Sequence, residues 1–484
     1  MRCDLIIRDA AIYDGTGAPP TRGDVAVSGD RIAAVGDLGA LSADREVVAS
    51  GRALAPGFID AHTHDDRAVL CGPECLLCKT SQGVTTVVAG NCGISLSPLR
   101  LRERPVPPLD LLGEESWWAF DSFGDYARAL AANPAQVNTY ALVGHMTLRV
   151  EAMGASGATE RPATDRETAR MRDRLAASLR EGASGFSTGL WYKPNAPATA
   201  EEVVAVGGAL REAGGLYATH MRDEGDGVLD SIEETLAIGR GTRAPVVISH
   251  HKCVMPENFG RSRETLPLIA RAAESQAVDF DVYPYAAGST VLMPYRLRPG
   301  IRVKVTWSVP HPEMAGRDVS DIAAEWGVSE VEAATRLLPA GAIYFQMDEE
   351  DVRRILAHPR SMIGSDGLPH DARPHPRLWG TFPRVLGHYA RDLGLFPLEV
   401  AVHKMTGRCA DVFGIVDRGH IRVGAYADLV LFDPATVADA ATYDEPTRPS
   451  LGIEEVWCNG VTTYTGAGGA TGERPGRLVT RGRG

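Results

Sequence analysis

Between residues 53 and 365 the chain alternates short apolar runs with longer stretches in which apolar positions recur every three or four residues. The short runs fall at 53–61, 84–90, 138–144, 183–188, 215–219, 245–249, 278–283 and 361–365. Short apolar runs of this length predict strands. The longer stretches read as amphipathic helices, clearest over 164–182, 199–213 and 228–239. Thr199-Ala200-Glu201-Glu202 marks a helix start, with acidic side chains near the positive end of the dipole. Strand and helix in regular alternation predict a parallel α/β fold. Eight units make it a (β/α)8, TIM-like barrel over residues 58–415. The interval between Tyr285 and Ser361 breaks the rhythm and is too long for a plain loop. Residues of about 286–345 are therefore expected to form an insertion that covers the barrel mouth.

Both ends of the chain follow another pattern. Leu5-Ile6-Ile7, Asp24-Val25-Ala26-Val27 and Arg31-Ile32-Ala33-Ala34-Val35-Gly36 are short strands punctuated by glycine. Ala427-Asp428-Leu429-Val430-Leu431-Phe432 and Val456-Trp457-Cys458-Asn459-Gly460-Val461 repeat the style. Residues 1–57 and 416–484 are thus expected to build one small β domain, with a loose, solvated tail from Arg474 to Gly484. At 484 residues, 44% hydrophobic and 23% charged, the chain has a globular composition. A net charge of −12 argues against nucleic acid as a partner. Arg2 and Asp4 stand where a signal peptide needs an apolar stretch, and no apolar run approaches the ~18 residues of a membrane span. The expectation is a cytoplasmic protein with no membrane partner, its eight cysteines kept as thiols.

The chemistry sits where the apolar runs stop. His62 and His64 bracket Thr63 at the end of the first run. Residues two apart on a strand share a face, about 7 Å from one another, so this pair can chelate one metal ion. Cys92, His220, His250 and Asp366 each end a later run. Steps of 30 residues from His62 to Cys92 and from His220 to His250, and of 31 from His250 to Asp281, match one βαβ unit. Polar residues recurring at that interval collect at one end of a barrel, the end that carries active sites. His62, His64 and Asp366 make one ligand set; Cys92, His220 and His250 make another whose nitrogen and sulfur donors suit zinc. The Cys92 sulfur could bridge two ions. Asp366, beside the metal, is placed to move a proton from water to a leaving nitrogen, which is the machinery of amide hydrolysis.

Other residues invite competing readings. Cys71, Cys75 and Cys78 have the spacing that holds an iron–sulfur cluster in radical enzymes, but leucines among them favour thiols packed as small hydrophobes. His145 ends the third run and is read as a hydrogen-bonded core histidine. His251 lies on the opposite strand face from His250. Asp65 and Asp66 are expected to cap the following helix, and Gly90, Gly93, Gly185 and Gly189 to permit tight turns.

The chain resembles the D-aminoacylase (N-acyl-D-amino-acid deacylase) family of the amidohydrolase superfamily. The likeness rests on Pro56-Gly57-Phe58-Ile59-Asp60-Ala61-His62-Thr63-His64-Asp65-Asp66, Gly90-Asn91-Cys92-Gly93-Ile94-Ser95, Tyr217-Ala218-Thr219-His220-Met221-Arg222-Asp223-Glu224, Val247-Ile248-Ser249-His250-His251-Lys252 and Ile363-Gly364-Ser365-Asp366-Gly367-Leu368-Pro369-His370. The resemblance implies one zinc ion held tightly by Cys92, His220 and His250, and a weaker second position at His62, His64 and Asp366. It implies Asp366 as catalytic acid and base, and a small N-acyl-D-amino acid as substrate. Lys252, Tyr283, Ser289 and Arg377 would grip its α-carboxylate, and Tyr192 would touch substrate or oxyanion. Trp191, Tyr344 and Met347 would form an apolar wall for side chains such as D-Leu, D-Met or D-Phe, the expected preference. Arg298 stands where apolar-selective relatives would place a hydrophobe; it or Arg296 would instead pair with an N-acyl-D-Glu or D-Asp side chain. A cyclic-amide hydrolase would share the barrel but bridges two metals with a carboxylated lysine on strand four. Gly182-Ala183-Ser184-Gly185-Phe186-Ser187-Thr188-Gly189 contains none, and Cys92 offers the replacement.

Overall fold

A computed structural model describes residues 2–482. The eight expected strands are present as Phe58–Asp60, Val84–Ala89, Asn138–Gly144, Gly185–Gly189, Leu216–His220, Val246–Ile248, Val278–Val282 and Ser361–Ile363. They lie side by side in chain order, all parallel. The first and eighth strands meet through Ala61 N–H donating to Ile363 O (3.1 Å) and Asp366 N–H donating to His62 O (2.8 Å), with a parallel bridge from Thr63 to Gly367. This closes the barrel just below its mouth. The helices start where expected: Thr164 and Glu167 form a reciprocal capping box, and the Thr199 hydroxyl accepts from Glu202 N–H.

The first apolar run is two strands, not one. Ala53–Pro56 belongs to a second sheet, where it pairs with Leu429–Phe432 and Arg2–Ile12, and the chain enters the barrel only at Phe58. Gly57 makes the crossing possible, because a Cβ there would stand 2.2 Å from the Thr85 hydroxyl. That second, nine-stranded sheet draws on both chain ends and encloses its own core, including Val25, Leu54, Leu429 and Trp457.

The expected loose tail is docked. The fourth strand begins only opposite Leu142, leaving Thr139 and Tyr140 with unpaired backbone groups on that side. Leu478–Val479 fills the gap as a short parallel strand, and Arg481 donates to Val412 O (2.9 Å). Buried backbone groups demand partners, and the tail supplies them. Arg483 and Gly484, which complete the expected tail, lie outside the described residues.

The insertion is a three-stranded antiparallel sheet of Gly288–Val291, Ala340–Tyr344 and Val303–Ser308, with helices Val319–Trp326 and Glu330–Leu337 packed on it. Val305, Ile322, Leu337 and Ala342 form a core of its own. It lies over the mouth, to which it contributes Ser289, Thr290, Arg296, Tyr344 and Gln346. No helix among the described residues is long and apolar enough to cross a membrane.

Candidate active site

The six candidate ligands converge at the C-terminal rim of the barrel. Three groups have ligand atoms within 4.8 Å of one another: His62, His64 and Cys92; Cys92, His220 and His250; and His62, His250 and Asp366. The Cys92 sulfur lies 3.3 Å from His62 Nε2 and 3.4 Å from His250 Nε2, so it belongs to two of them. Cys92, His250 and Asp366 adopt left-handed backbone, with φ of 55°, 37° and 49°. Such residues cost roughly 1–3 kcal/mol each and persist where their surroundings enforce them. Here the His250 N–H is fixed by Asp281 Oδ1 (2.9 Å) and the Asp366 N–H by the barrel-closing bond to His62 O. Gly189 permits rather than turns: its φ is not positive, but a Cβ would stand 2.2 Å from Cys92 O.

Carboxylates behind the imidazoles set their orientation. Asp281 Oδ2 lies 3.3 Å from His62 Nδ1, and Glu224 Oε1 lies 3.1 Å from His250 Nδ1. Each ring thereby turns its Nε2 toward Cys92, the arrangement in which an outer carboxylate fixes a metal-binding histidine. Burial opposes ionisation of the Cys92 thiol, but the imidazoles of His62 and His250 outweigh it and hold its pKa well below the usual thiol value. Burial likewise pushes the Asp366 carboxyl up, and the Arg377 guanidinium 2.8 Å away overrides it, keeping the group well below the ordinary carboxylate range. His64 Nδ1 and His220 Nδ1 are buried without a hydrogen-bond partner among the described residues. A thiolate-prone sulfur, clustered imidazoles, a carboxylate and unpaired ring nitrogens are a donor set that fits zinc.

These groups open onto a narrow cavity of about 60 Å³. Lys252, Tyr283, Ser289, Arg377, Tyr192, Trp191 and Tyr344 all line it. Trp191 stacks on His220 (centroids 5.8 Å apart, 19°). Arg377 donates to Ser289 O (3.1 Å), while the buried Ser289 hydroxyl has no partner among the described residues. Lys252 Nζ is tied to Glu224 (2.6 Å) and lies 2.7 Å from His250 Nδ1.

Two expected substrate contacts are misplaced. Gln346 lines the cavity and Met347 does not; Met347 lines a neighbouring pocket and accepts the Tyr283 hydroxyl at 3.8 Å. Arg298 lies outside the cavity on an exposed loop, 4.0 Å from Glu257. The single turn Pro294–Arg296 aims Arg296 inward instead. Its guanidinium rests over the rings of Trp191 (4.5 Å) and Tyr344 (5.7 Å) and reaches Gln346 Oε1 at 3.4 Å.

The Amidohydrolase family matches the chain over residues 45–276 and 261–464. The chain belongs to that family. This amidohydrolase is 54% identical to a D-aminoacylase of Alcaligenes xylosoxydans xylosoxydans, over 99% of this chain and 98% of that protein. It is 50% identical to an N-acyl-D-aspartate deacylase of the same organism, over 99% of this chain and 96% of that protein. The crystal structure of an N-acyl-D-glutamate deacylase from Bordetella bronchiseptica, complexed with zinc and a phosphonate inhibitor, superposes with a TM-score of 0.95 at 49% identity, covering 99% of this chain and all of that one.

Several residues of the amidohydrolase site were not singled out from sequence as site residues. Glu224 follows His220 by four positions and Asp281 ends the seventh strand in the register of the ligands, so both had a positional signal. Lys79 had none, yet its ammonium sits between Asp60 (2.8 Å) and Asp65 (3.2 Å) beneath the histidine pair. Asp65 and Asp66 do not cap a helix. The next turn, Ala68–Leu70, has Arg67 at its start and no side-chain cap, while Asp66 accepts from Gly90 N–H (3.1 Å). Cys71, Cys75 and Cys78 are in none of the metal-competent groups; burial pushes the Cys75 and Cys78 thiols up to about 12, so they stay neutral. His145 is buried 3.2 Å from Glu202, and His251 meets Thr265 Oγ1 at 2.9 Å, both away from the ligands.

Proposed function

We propose that this chain hydrolyses the amide bond of N-acyl-D-amino acids, releasing a D-amino acid and a carboxylate. The observation that carries the reading is the meeting of Cys92, His220, His250, His62, His64 and Asp366 at one rim, opposite a cavity wall of Arg377, Lys252, Tyr283 and Ser289. Cys92, His220 and His250 would hold one zinc ion tightly, and His62, His64 and Asp366 a weaker second. Bound zinc supplies a water of pKa ~7 and polarises the acyl carbonyl.

Asp366 is the acid and base. Held ionised by Arg377, it accepts the proton of the attacking water, and it returns that proton to the amide nitrogen as the C–N bond breaks. The oxygen is added to the acyl carbon, and the amine leaves neutral. Arg377 matches a carboxylate bidentately, while the hydroxyls of Tyr283 and Ser289 and the Lys252 ammonium orient it. Tyr192 packs against the ligands, its ring centroid 5.0 Å from that of His220, and its hydroxyl would turn from Thr290 Oγ1, 3.1 Å away, to meet the carbonyl oxygen. With α-carboxylate and carbonyl both fixed, only one enantiomer directs its side chain toward Trp191 and Tyr344.

A second reading concerns that side chain. Trp191 and Tyr344 offer the apolar surface expected for D-Met or D-Phe. Arg296, however, brings into the same cavity a cation whose close neighbours are two aromatic faces and an amide, none of them anionic. This favours an N-acyl-D-glutamate or D-aspartate substrate. We also infer a cytoplasmic location, which eight unpaired cysteines support.

The test is a panel of N-acetyl D- and L-amino acids incubated with zinc-loaded protein, scored by release of free amine. Release from D-isomers is expected. Turnover of L-isomers alone would reject the assignment, and the ratio of D-Glu to D-Met turnover decides between the side-chain readings.

A further inference from the structure

Beside the catalytic cavity lies a second, larger one of about 580 Å³. That is within the ~300–1,000 Å³ of cavities that enclose drug-sized ligands. Its wall is mainly apolar, built from Val106 and Pro108 on one side and Val291, Met293, Tyr295 and Leu338 of the insertion on the other. The two cavities share one lining residue. Tyr192 lines both, and two pairs of consecutive residues divide between them: Leu111 and Thr290 face the catalytic side, Asp110 and Val291 the other. At the partition the Tyr192 hydroxyl bonds Thr290 Oγ1 at 3.1 Å.

The reading under Proposed function, on which this inference rests, already gives the substrate's other groups their places. The α-carboxylate goes to Arg377, Ser289, Tyr283 and Lys252, and the side chain to Trp191, Tyr344 and Arg296. What remains is the substituent on the acyl carbon. Of the cavity residues without an assigned partner, Leu111 and Thr290, together with Tyr192, are those that border the second cavity. We propose that this cavity is the subsite for the N-acyl chain, and that the enzyme takes D-amino acids carrying extended aliphatic acyl groups in preference to acetyl. Of the polar members of the lining, Lys193 is exposed and Thr159 partly exposed, while the Asp110 carboxyl is buried without a hydrogen-bond partner among the described residues, and burial pushes its pKa up to about 6, toward the neutral form. Opening of the Tyr192–Thr290 hydrogen bond would admit the chain, with its carbonyl at the metal ligands and its methyl end among Val291, Met293 and Leu338. Hydrolysis then releases a medium-chain carboxylate on that side and the D-amino acid on the other.

A chain-length series tests it: N-acetyl, N-butanoyl, N-hexanoyl and N-octanoyl derivatives of one D-amino acid, with kcat/KM measured on zinc-loaded protein. Burial of a methylene is worth roughly a fourfold gain, so octanoyl should exceed acetyl by at least tenfold, levelling off as the cavity fills. Tyr295→Ala removes an apolar wall residue that is 69% exposed and so does not threaten folding. It should lower the octanoyl value severalfold and leave acetyl turnover unchanged. A flat or falling series, or equal losses for both substrates in Tyr295→Ala, would overturn the acyl subsite alone. Failure of every derivative to release D-amino acid would overturn the deacylase reading beneath it.

Discussion

Lys79→Met should be among the most damaging single changes in this chain. The Lys79 ammonium and the carboxylates of Asp60 and Asp65 are all fully buried, at 2.8 and 3.2 Å. Burial opposes the lysine charge, yet the two carboxylates outweigh it and raise its pKa above the usual ammonium value. Lys79 also donates to Ser365 Oγ (2.9 Å), and Asp60 accepts from Ser365 N–H (2.7 Å). The cluster therefore ties the strand that leads to His62 and His64 to the strand that leads to Asp366. Removing one member of a buried ion pair costs about 3–5 kcal/mol, because the remaining charge has neither partner nor water. That is a large part of the ~5–15 kcal/mol that stabilises a folded domain. Urea unfolding should show the loss as a lower midpoint with an unchanged slope. Lys79→Met combined with Asp65→Asn should recover part of it, since one orphaned charge is gone. A loss below about 1 kcal/mol, the value of an exposed pair, would refute the reasoning.

Three further outcomes follow from the geometry. Asp366→Asn removes the proton acceptor and should lower kcat by about 10²–10⁴ in deacylation assays, with tight zinc retained on atomic absorption; full turnover would remove Asp366 from the chemistry. Arg296→Met should lower kcat/KM for N-acetyl-D-glutamate and raise or preserve it for N-acetyl-D-methionine, whereas the exposed Arg298→Met should change neither. Lys404 is buried against His358 O (2.6 Å) and Ser361 Oγ (2.8 Å), and burial pushes its pKa down from 10.5 to about 7. The unfolded chain keeps this proton to higher pH than the folded one, so wild-type stability measured against Lys404→Met should rise with pH. At 1.36 kcal/mol per unit the gain between pH 7 and pH 10 is up to about 4 kcal/mol. Urea midpoints that show a flat or falling difference over that range would contradict it.

The barrel was legible because its strands are almost wholly buried and mostly apolar, so the strand order appears as a rhythm of runs. The ligands were legible for a related reason: each lies just past the end of an apolar run, and parallel strands deliver those ends to one rim. Where local geometry departs from regular periods, the pattern is silent. Arg296 and Arg298 are two positions apart, and only the single turn at Pro294–Arg296 decides which faces inward. Met347 was drawn to the site by family likeness, but in the irregular segment after Tyr344 it is Gln346 that lines the cavity. Asp65 and Asp66 look like helix caps because acids often precede helices, yet the segment that follows is a single short turn, and the carboxylates serve the long-range partners Lys79 and Gly90. The docking of Leu478–Val479 depends on a gap beside the third strand that exists only once the barrel has formed.

The most direct test of the account is the zinc-edge absorption spectrum of the loaded protein. One sulfur shell at about 2.3 Å beside imidazole nitrogens at about 2.0–2.1 Å is expected, and the sulfur shell should vanish in Cys92→Ala together with tight zinc and deacylation of N-acetyl-D-amino acids. A shell of nitrogen and oxygen only, or full zinc and turnover in Cys92→Ala, would contradict the ligand set on which the proposed hydrolysis rests.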